Sequence, residues 1–369
     1  MRRVRPEAIR ERISRAEHFA ELLELRMELS GPLAAVPPPE QTAAWYGGVN
    51  DLHDAVIRRT VQLAEQLLKE EGMGAAPVPY AFVLYGSGAR REQTLWSDQD
   101  NGLLYQNPSQ GEEEAVEAYF ERLAAAISEG LQEAGYPPCE GGVICTNPQW
   151  RKPLKAYLEM LAGWEQELTW ESVRYLLISS DLRCVYGDER LCRVIVEKLF
   201  GEARRDTVLL ERMLHNTLHR KTASGFFGRI VTERYGEDAG GFDVKYGAYI
   251  PLVNGIRMLA VCFGLTEAST LDRVKALHRI QAIGSGTAGY WRQAFLEVLH
   301  VRALVPRREE NGLYHNHPYL NRTLLTAEVQ KELKHALAVG RKLRAEVKKQ
   351  VKRQTKSLLK EEEAGYEAD

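Results

Sequence analysis

The sequence predicts an α+β fold: a small mixed sheet with flanking helices, followed by a mainly α-helical second domain. Three observations carry this. Two short apolar runs, residues 80–85 and 102–105, bracket a glycine-rich turn and an Asp-x-Asp pair. Apolar residues at helical spacing flank these runs on both sides. From about Arg151 onward the pattern is almost wholly helical.

In chain order, residues 1 to about 35 carry Ile9, Ile13, Phe19, Leu22, Leu23 and Leu25 at helical spacing, which predicts one or two amphipathic helices. Residues 34–40, with Pro37, Pro38 and Pro39, break the pattern and read as a linker. Asn50 is expected to cap a helix with Leu52, Val56, Thr60, Leu63 and Leu67 on one face. Residues 72–79 form a loop into a buried strand at 80–85, bounded by Pro79 and Gly86. After the Asp-x-Asp segment, Val116, Tyr119, Phe120, Leu123, Ile127 and Leu131 make one stripe, a helix that packs on the sheet. Residues 141–145 are expected to be a later strand. Asp181 and Arg183 read as a helix-end ion pair, and Trp150, Trp164 and Trp170 as core anchors. Breaks fall at 236–241 and 284–289. A final helix from about Thr326 past Val351 buries Val329, Leu333, Leu337, Leu343, Val347 and Val351. The domains are placed at 1–44 (N-terminal helices and linker), 45–175 (sheet domain), 176–362 (helical domain) and 363–369 (acidic tail), with the central boundary near 172–179.

The 369 residues suffice for two or three domains with a large core. A net charge of −2 gives no global attraction to nucleic acid or membrane. No segment is expected to supply the roughly 20 apolar residues that span a bilayer. The basic start of the chain is not followed by an apolar signal region. Five cysteines at irregular spacings argue against a disulfide framework and for a reducing, cytoplasmic location, and Cys139 and Cys145 lack metal-ligand spacing.

The chemistry concentrates between Phe82 and Tyr105. Gly86 lets the backbone turn tightly and approach a ligand. Ser87 adds a hydroxyl at the start of a helical turn, whose free amides attract phosphate oxygens. Arg90, about one turn on, is placed to pair with phosphate. Ten residues separate Ser87 from Asp98. Asp98 and Asp100 sit at i and i+2, on one face of an extended segment and about 7 Å apart at the backbone. Two carboxylates at that spacing suit magnesium, which takes a few carboxylates plus substrate phosphates. Either element alone is commonplace in loops; the combination points to a nucleoside triphosphate and its magnesium.

Further along, Asp243 and Lys245 follow a glycine-rich turn. Two readings stay open: a phosphate-holding pair, or an ion pair tying a loop to a helix. Arg257, on an apolar helix, either pairs with Asp243 or reaches a ligand, since burial unpaired is costly. His315 and His317 have no third ligand in sequence and read as loop residues. The basic helix 348–360 reads as a solvated face.

The run Gly86-Ser87-Gly88-Ala89-Arg90-Arg91-Glu92-Gln93, then Ser97-Asp98-Gln99-Asp100-Asn101, resembles the nucleotidyltransferase superfamily that includes DNA polymerase beta, and within it the protein-PII uridylyltransferase-like branch. More narrowly, it resembles bacterial nucleotidyltransferases that join such a domain to a helical substrate-binding domain. Asn50-Asp51-Leu52-His53-Asp54-Ala55 with Arg58-Arg59, Cys139-Glu140-Gly141-Gly142-Val143 with Asn147-Pro148-Gln149-Trp150, and Phe242-Asp243-Val244-Lys245 with Gly247 and Arg257 extend the resemblance over residues 49–338. It implies magnesium-dependent transfer of a uridylyl or adenylyl group from a nucleoside triphosphate to an acceptor, a regulatory protein or a small molecule rather than RNA. Asp98 and Asp100 would be catalytic and hold two magnesium ions. Gly86, Ser87, Arg90 and Arg91, with Asp243, Lys245 and Arg257, would bind the nucleotide. Superfamily members have glycine where this chain has Ala89 and Arg91. They also carry a third metal-binding acid on a later strand, for which Glu140 is the nearby candidate. The alternative is a catalytically weak or inactive nucleotide-binding signalling module.

Overall fold

The computed structural model describes residues 6–33, 35–219 and 230–366. The basic residues 1–5 and the end of the acidic tail lie outside the described residues. In order, the elements are α1 (Pro6–Arg15), α2 (Phe19–Leu33), α3 (Thr42–Glu70), β1 (Tyr80–Leu84), α4 (Gly86–Ala89), β2 (Asn101–Tyr105), α5 (Glu113–Glu133), β3 (Arg151–Pro153), α6 (Leu154–Glu167), α7 (Trp170–Ser179), β4 (Arg183–Gly187), α8 (Glu189–Ala203), α9 (Thr207–Leu218), β5 (Phe242–Asp243), α10 (Ile250–Phe263), α11 (Thr270–Arg279), α12 (Ser285–Ala303), β6 (Arg307–Glu310), β7 (Leu313–Asn316), β8 (Tyr319–Leu320) and α13 (Ala327–Tyr366). The fold is α+β, as the sequence predicts. The chain forms two compact units: Met1–Met160 with Leu182–Ile195 and Arg307–Asn316, and Leu161–Asp181 with Val196–Pro306 and His317–Asp369.

The first unit is built on a four-stranded mixed sheet in the order β3-β2-β1-β4. The central strand β1 runs antiparallel to both neighbours, and β2 runs parallel to β3. All five residues of β1 are apolar and buried, as a strand covered on both faces requires. On one face Phe82 and Leu84 pack with Leu103 and Tyr105 against α3 and α5, and all six residues of the predicted α5 stripe are buried. On the other, Tyr85 lies 4.9 Å from the Trp150 ring and its hydroxyl 3.2 Å from that of Tyr157. Gly102 makes room for this face. A Cβ there would stand 2.7 Å from the Trp150 carbonyl oxygen and 3.0 Å from the Tyr85 ring.

Three expectations are corrected in this unit. Asn50 does not cap a helix. α3 starts at Thr42 and runs straight through Gly47 and Gly48, and Asn50 is a buried interior residue. Residues 141–145 are turns, not a strand; Val143 contributes one carbonyl to the Asn101 N–H (3.1 Å), and the parallel neighbour of β2 is β3. Arg183–Gly187, read as part of a helical region, is the strand β4 beside β1. Its single β-branched residue gives too short a signal between α7 and α8 for periodicity to register.

The second unit is helical. α13 buries all six residues predicted for its apolar stripe. Asp181, fully buried, receives Arg257 and Arg273. Trp150 and Trp164 are buried, but Trp170 is 47% exposed and is no core anchor. Lys245–Phe263 reaches the length and apolarity of a membrane-spanning helix, which the sequence reading did not foresee. Of its most apolar window 72% is buried, as in a core helix.

Candidate active site

The antiparallel register of β1 and β2 sets Leu84 opposite Asn101. The residue leaving β1 therefore faces the residue entering β2, and the Tyr85 N–H donates to the Asp100 carbonyl at 3.0 Å. Gly86 lands directly against Asp100. Its φ is +52°, and a Cβ there would lie 2.7 Å from Asp100 Oδ2. A side chain at 86 thus meets backbone strain and a carboxylate at once. Gly86–Ala89 then forms a single helical turn that carries the half-buried Ser87 as its second residue.

The approach to β2 is extended, so alternate side chains face opposite ways. Gln99 and Asn101 point inward and are 3% and 1% exposed. The Gln99 N–H donates to the Pro137 carbonyl (2.9 Å) and its amide to Tyr136 O (2.9 Å), while Asn101 Oδ1 accepts from the Cys145 N–H (2.9 Å). These bonds fasten the 136–145 loop alongside. They leave Asp98 and Asp100 on the opposite, accessible side: Asp98 is exposed and Asp100 half-buried.

The same anchoring brings Cys139 to the pair. Ligand atoms of Asp98, Asp100 and Cys139 all lie within 4.8 Å of one another. Burial, the Asp100 and Asp98 carboxylates and a hydrogen bond from the thiol to Asp100 push the Cys139 thiol up to about 12. Glu140, the acid expected from sequence, is exposed and is not part of this group. The donor set fits magnesium in its two carboxylates, which are hard oxygen ligands. A protonated thiol is no magnesium ligand, and Cys139 serves here as a donor that orients Asp100.

The two arginines of the motif are fastened to the protein. Arg90, 4% exposed, bonds Glu92 through Nε at 2.8 Å. Arg91, at φ +58°, reaches Asp51 (2.5 Å) and Asp54 (2.6 Å) on α3. Asp54 is held from its other side by Arg183 of β4 (2.8 Å), whose guanidinium also donates to the Gly88 and Ala89 carbonyls (2.9 and 3.1 Å). Asn50 accepts from the Gln93 N–H (3.1 Å), and His53 meets Thr94 O (2.9 Å) and the Tyr136 hydroxyl (2.7 Å). Arg26 donates to Leu95 O and Ala134 O (2.8 and 2.9 Å). Burial and the adjacent Arg26 cation hold His53 down at about 3, so it is a neutral imidazole. Together these residues lock the segment between the turn and the carboxylates. Sequence reasoning did not assign those roles to Asn50, His53, Asp54 and Arg183. Its available signal was the i, i+3, i+4 spacing of Asn50, His53 and Asp54 on one helix face. Cys139 has no local signal, because only the pairing of Gln99 with Pro138 brings it in.

Two family models match the chain. Residues 39–171 match the family described as "Putative nucleotidyltransferase DUF294", and residues 207–351 match "Putative nucleotidyltransferase substrate binding domain". The chain belongs to this nucleotidyltransferase family. Among curated proteins it is similar to a bifunctional glutamine synthetase adenylyltransferase/adenylyl-removing enzyme of Xanthomonas campestris pv. campestris (strain B100), at 27% identity over 219 residues. That match spans 56% of this chain and 22% of the relative, so the chain corresponds to about a fifth of that protein.

Three further candidate residues lie in the second unit, within the match to the substrate-binding family. Asp243 accepts from the Tyr246 N–H at 2.8 Å, just before the helical turn Lys245–Tyr249. The Lys245 ammonium lies 5.4 Å from the Tyr246 ring centre. Arg257 bonds both oxygens of Asp181 and Asn254 Oδ1 (2.9 Å).

Proposed function

We propose that this nucleotidyltransferase transfers a nucleoside monophosphate, adenylyl or uridylyl, from a nucleoside triphosphate to an acceptor oxygen. The observation that carries the reading is the pair Asp98 and Asp100 held at the mouth of the Gly86 turn. The turn receives the triphosphate on the amides of Ser87 and Gly88. Asp98 and Asp100 hold magnesium, Asp100 being oriented by Gly86 and by the Cys139 thiol. Bound there, magnesium supplies charge neutralisation of the phosphates and of the leaving pyrophosphate. Arg90, Arg91, Asp54 and Arg183 fix the turn, so that it does not have to reorganise as charge develops. Within the second domain, Asp243 and Lys245, with Arg257 beside Asp181, are proposed as nucleotide contacts on the resemblance of their motif alone. The activity named for the Xanthomonas relative favours a protein acceptor and adenylyl transfer. All five cysteines are free, which suits a cytoplasmic setting.

The test is pyrophosphate release with each of the four ribonucleoside triphosphates and magnesium, on the wild type and on Asp98→Asn and Asp100→Asn. Release by the wild type with at least a hundredfold loss in both variants, on the order expected when charge stabilisation at the reacting phosphate is removed, supports the reading. Unchanged release in either variant sinks it. A second reading, a nucleotide-binding signalling module with little or no turnover, is favoured by one observation: a thiol, not a third carboxylate, completes the group. Nucleotide binding without pyrophosphate release would select it.

A further inference from the structure

Cys139 gives the metal-binding group a property that two carboxylates alone lack. Its sulfur and the carboxylate oxygens of Asp98 and Asp100 come within 4.8 Å of one another, close enough for one small shift to bring all three onto a single ion. Magnesium has no use for the sulfur. A borderline or soft divalent cation does, because thiolate is its preferred ligand and the Irving–Williams order already favours it over lighter ions on nitrogen and oxygen donors. Cys139 is half-buried, as is Cys184, whereas Cys145, Cys192 and Cys262 are buried; of these, Cys139 alone lies beside the exposed Asp98 in the group described above. The loop that carries it is held by Gln99 and Asn101, so the thiol is presented to the carboxylates without an ordering cost at binding.

We propose that Asp98, Asp100 and Cys139 form a site for a thiophilic divalent cation of the zinc class, which competes with magnesium for the two carboxylates and so holds the enzyme inactive. The inference rests on the reading that Asp98 and Asp100 hold the magnesium of nucleotidyl transfer. In the binding step the sulfur–metal bond forms, the S–H bond breaks, and the proton leaves to solvent. No electrons are transferred. Two carboxylates and a thiolate leave the fourth tetrahedral position to water or a phosphate oxygen.

Cadmium chloride serves as the probe, titrated into the metal-free full chain while cadmium–thiolate charge-transfer absorption is followed. The expected result is a band that saturates near one cadmium per chain. It should weaken at least tenfold in affinity in Cys139→Ser and in Asp98→Asn, and persist in Cys184→Ser. In the wild type, zinc should protect Cys139 from alkylation, located by peptide mass spectrometry; that measurement needs no variant to fold. Absence of the band in the wild type, its persistence in Cys139→Ser, or its loss in Cys184→Ser would each overturn the proposal, as would unprotected alkylation of Cys139 in saturating zinc. Magnesium-dependent nucleotide binding by the wild type is measured separately. A cadmium site that requires Cys139, on a chain that binds no nucleotide, would uphold the metal site and remove the functional reading.

Discussion

Gly86 and Asp100 constrain each other, and the site depends on that contact. The glycine was legible in the sequence as a turn residue. Its second role, leaving space for Asp100 Oδ2, was not, because it depends on the register between β1 and β2. Gly86→Ala is expected to cost about 1–3 kcal/mol, from the left-handed backbone and the collision together. It should also weaken magnesium-dependent nucleotide binding, since the carboxylate must move. Denaturant unfolding and calorimetry on one variant read both effects; wild-type stability with wild-type binding would contradict the contact. That Asp98 and Asp100 share one face was legible from spacing alone, since alternation on an extended segment is local physics. The arginines were not. Arg90 and Arg91 carry the right charge at the right distance from the turn, but sequence spacing cannot tell a phosphate ligand from an ion pair, whether the partner is the nearby Glu92 of Arg90 or, for Arg91, Asp51 and Asp54 on an earlier helix.

At the scale of elements, α3 is the bracket of the site. Its Asn50, His53 and Asp54 face the 90–97 segment. Placing the helix start at Asn50 hid its first turns, which run from Thr42 through Gly47 and Gly48 because glycine's low propensity is overridden by tertiary packing. Asp54 is 4% exposed and holds two guanidiniums. Asp54→Ala leaves Arg183 and Arg91 without their shared anion and should cost about 3 kcal/mol in denaturant unfolding. A change within experimental error would show the network to be incidental. His53 gives a pH signature. Its folded value is depressed to about 3, while the unfolded imidazole titrates near its ordinary 6.5. Above 6.5 both states are neutral and the stability is fully present. As the pH falls towards 3 the unfolded chain takes up a proton that the folded chain refuses, and stability drops by about 1.4 kcal/mol per unit from this group. His53→Gln should flatten the stability–pH profile over that window by one proton. An unchanged slope would mean that His53 is not the buried neutral group described.

At the scale of the molecule, the α+β class, the long α5 and α13 stripes and the predominance of helix after the sheet domain were legible, because long amphipathic periods dominate local noise. The return of the chain to the first unit at Leu182–Ile195 and Arg307–Asn316 was not. A five-residue strand and a hairpin whose first strand is exposed throughout leave little hydrophobic pattern. In that hairpin Tyr314 packs 4.7 Å from Trp96, and the Arg307 guanidinium lies 4.6 Å from the Trp96 ring and 4.1 Å from that of Tyr314, so residues far apart in sequence meet just before Asp98. The account's central claim is that Asp98 and Asp100 form the metal-dependent seat of a nucleoside triphosphate. Its most direct test is calorimetry of each ribonucleoside triphosphate, with and without magnesium, on the wild type and on the Asp98→Asn/Asp100→Asn double variant. The expected result is binding of at least one triphosphate that requires magnesium and is lost in the folded double variant. Equal binding by the double variant, or no magnesium-dependent binding of any triphosphate by the wild type, would contradict the claim.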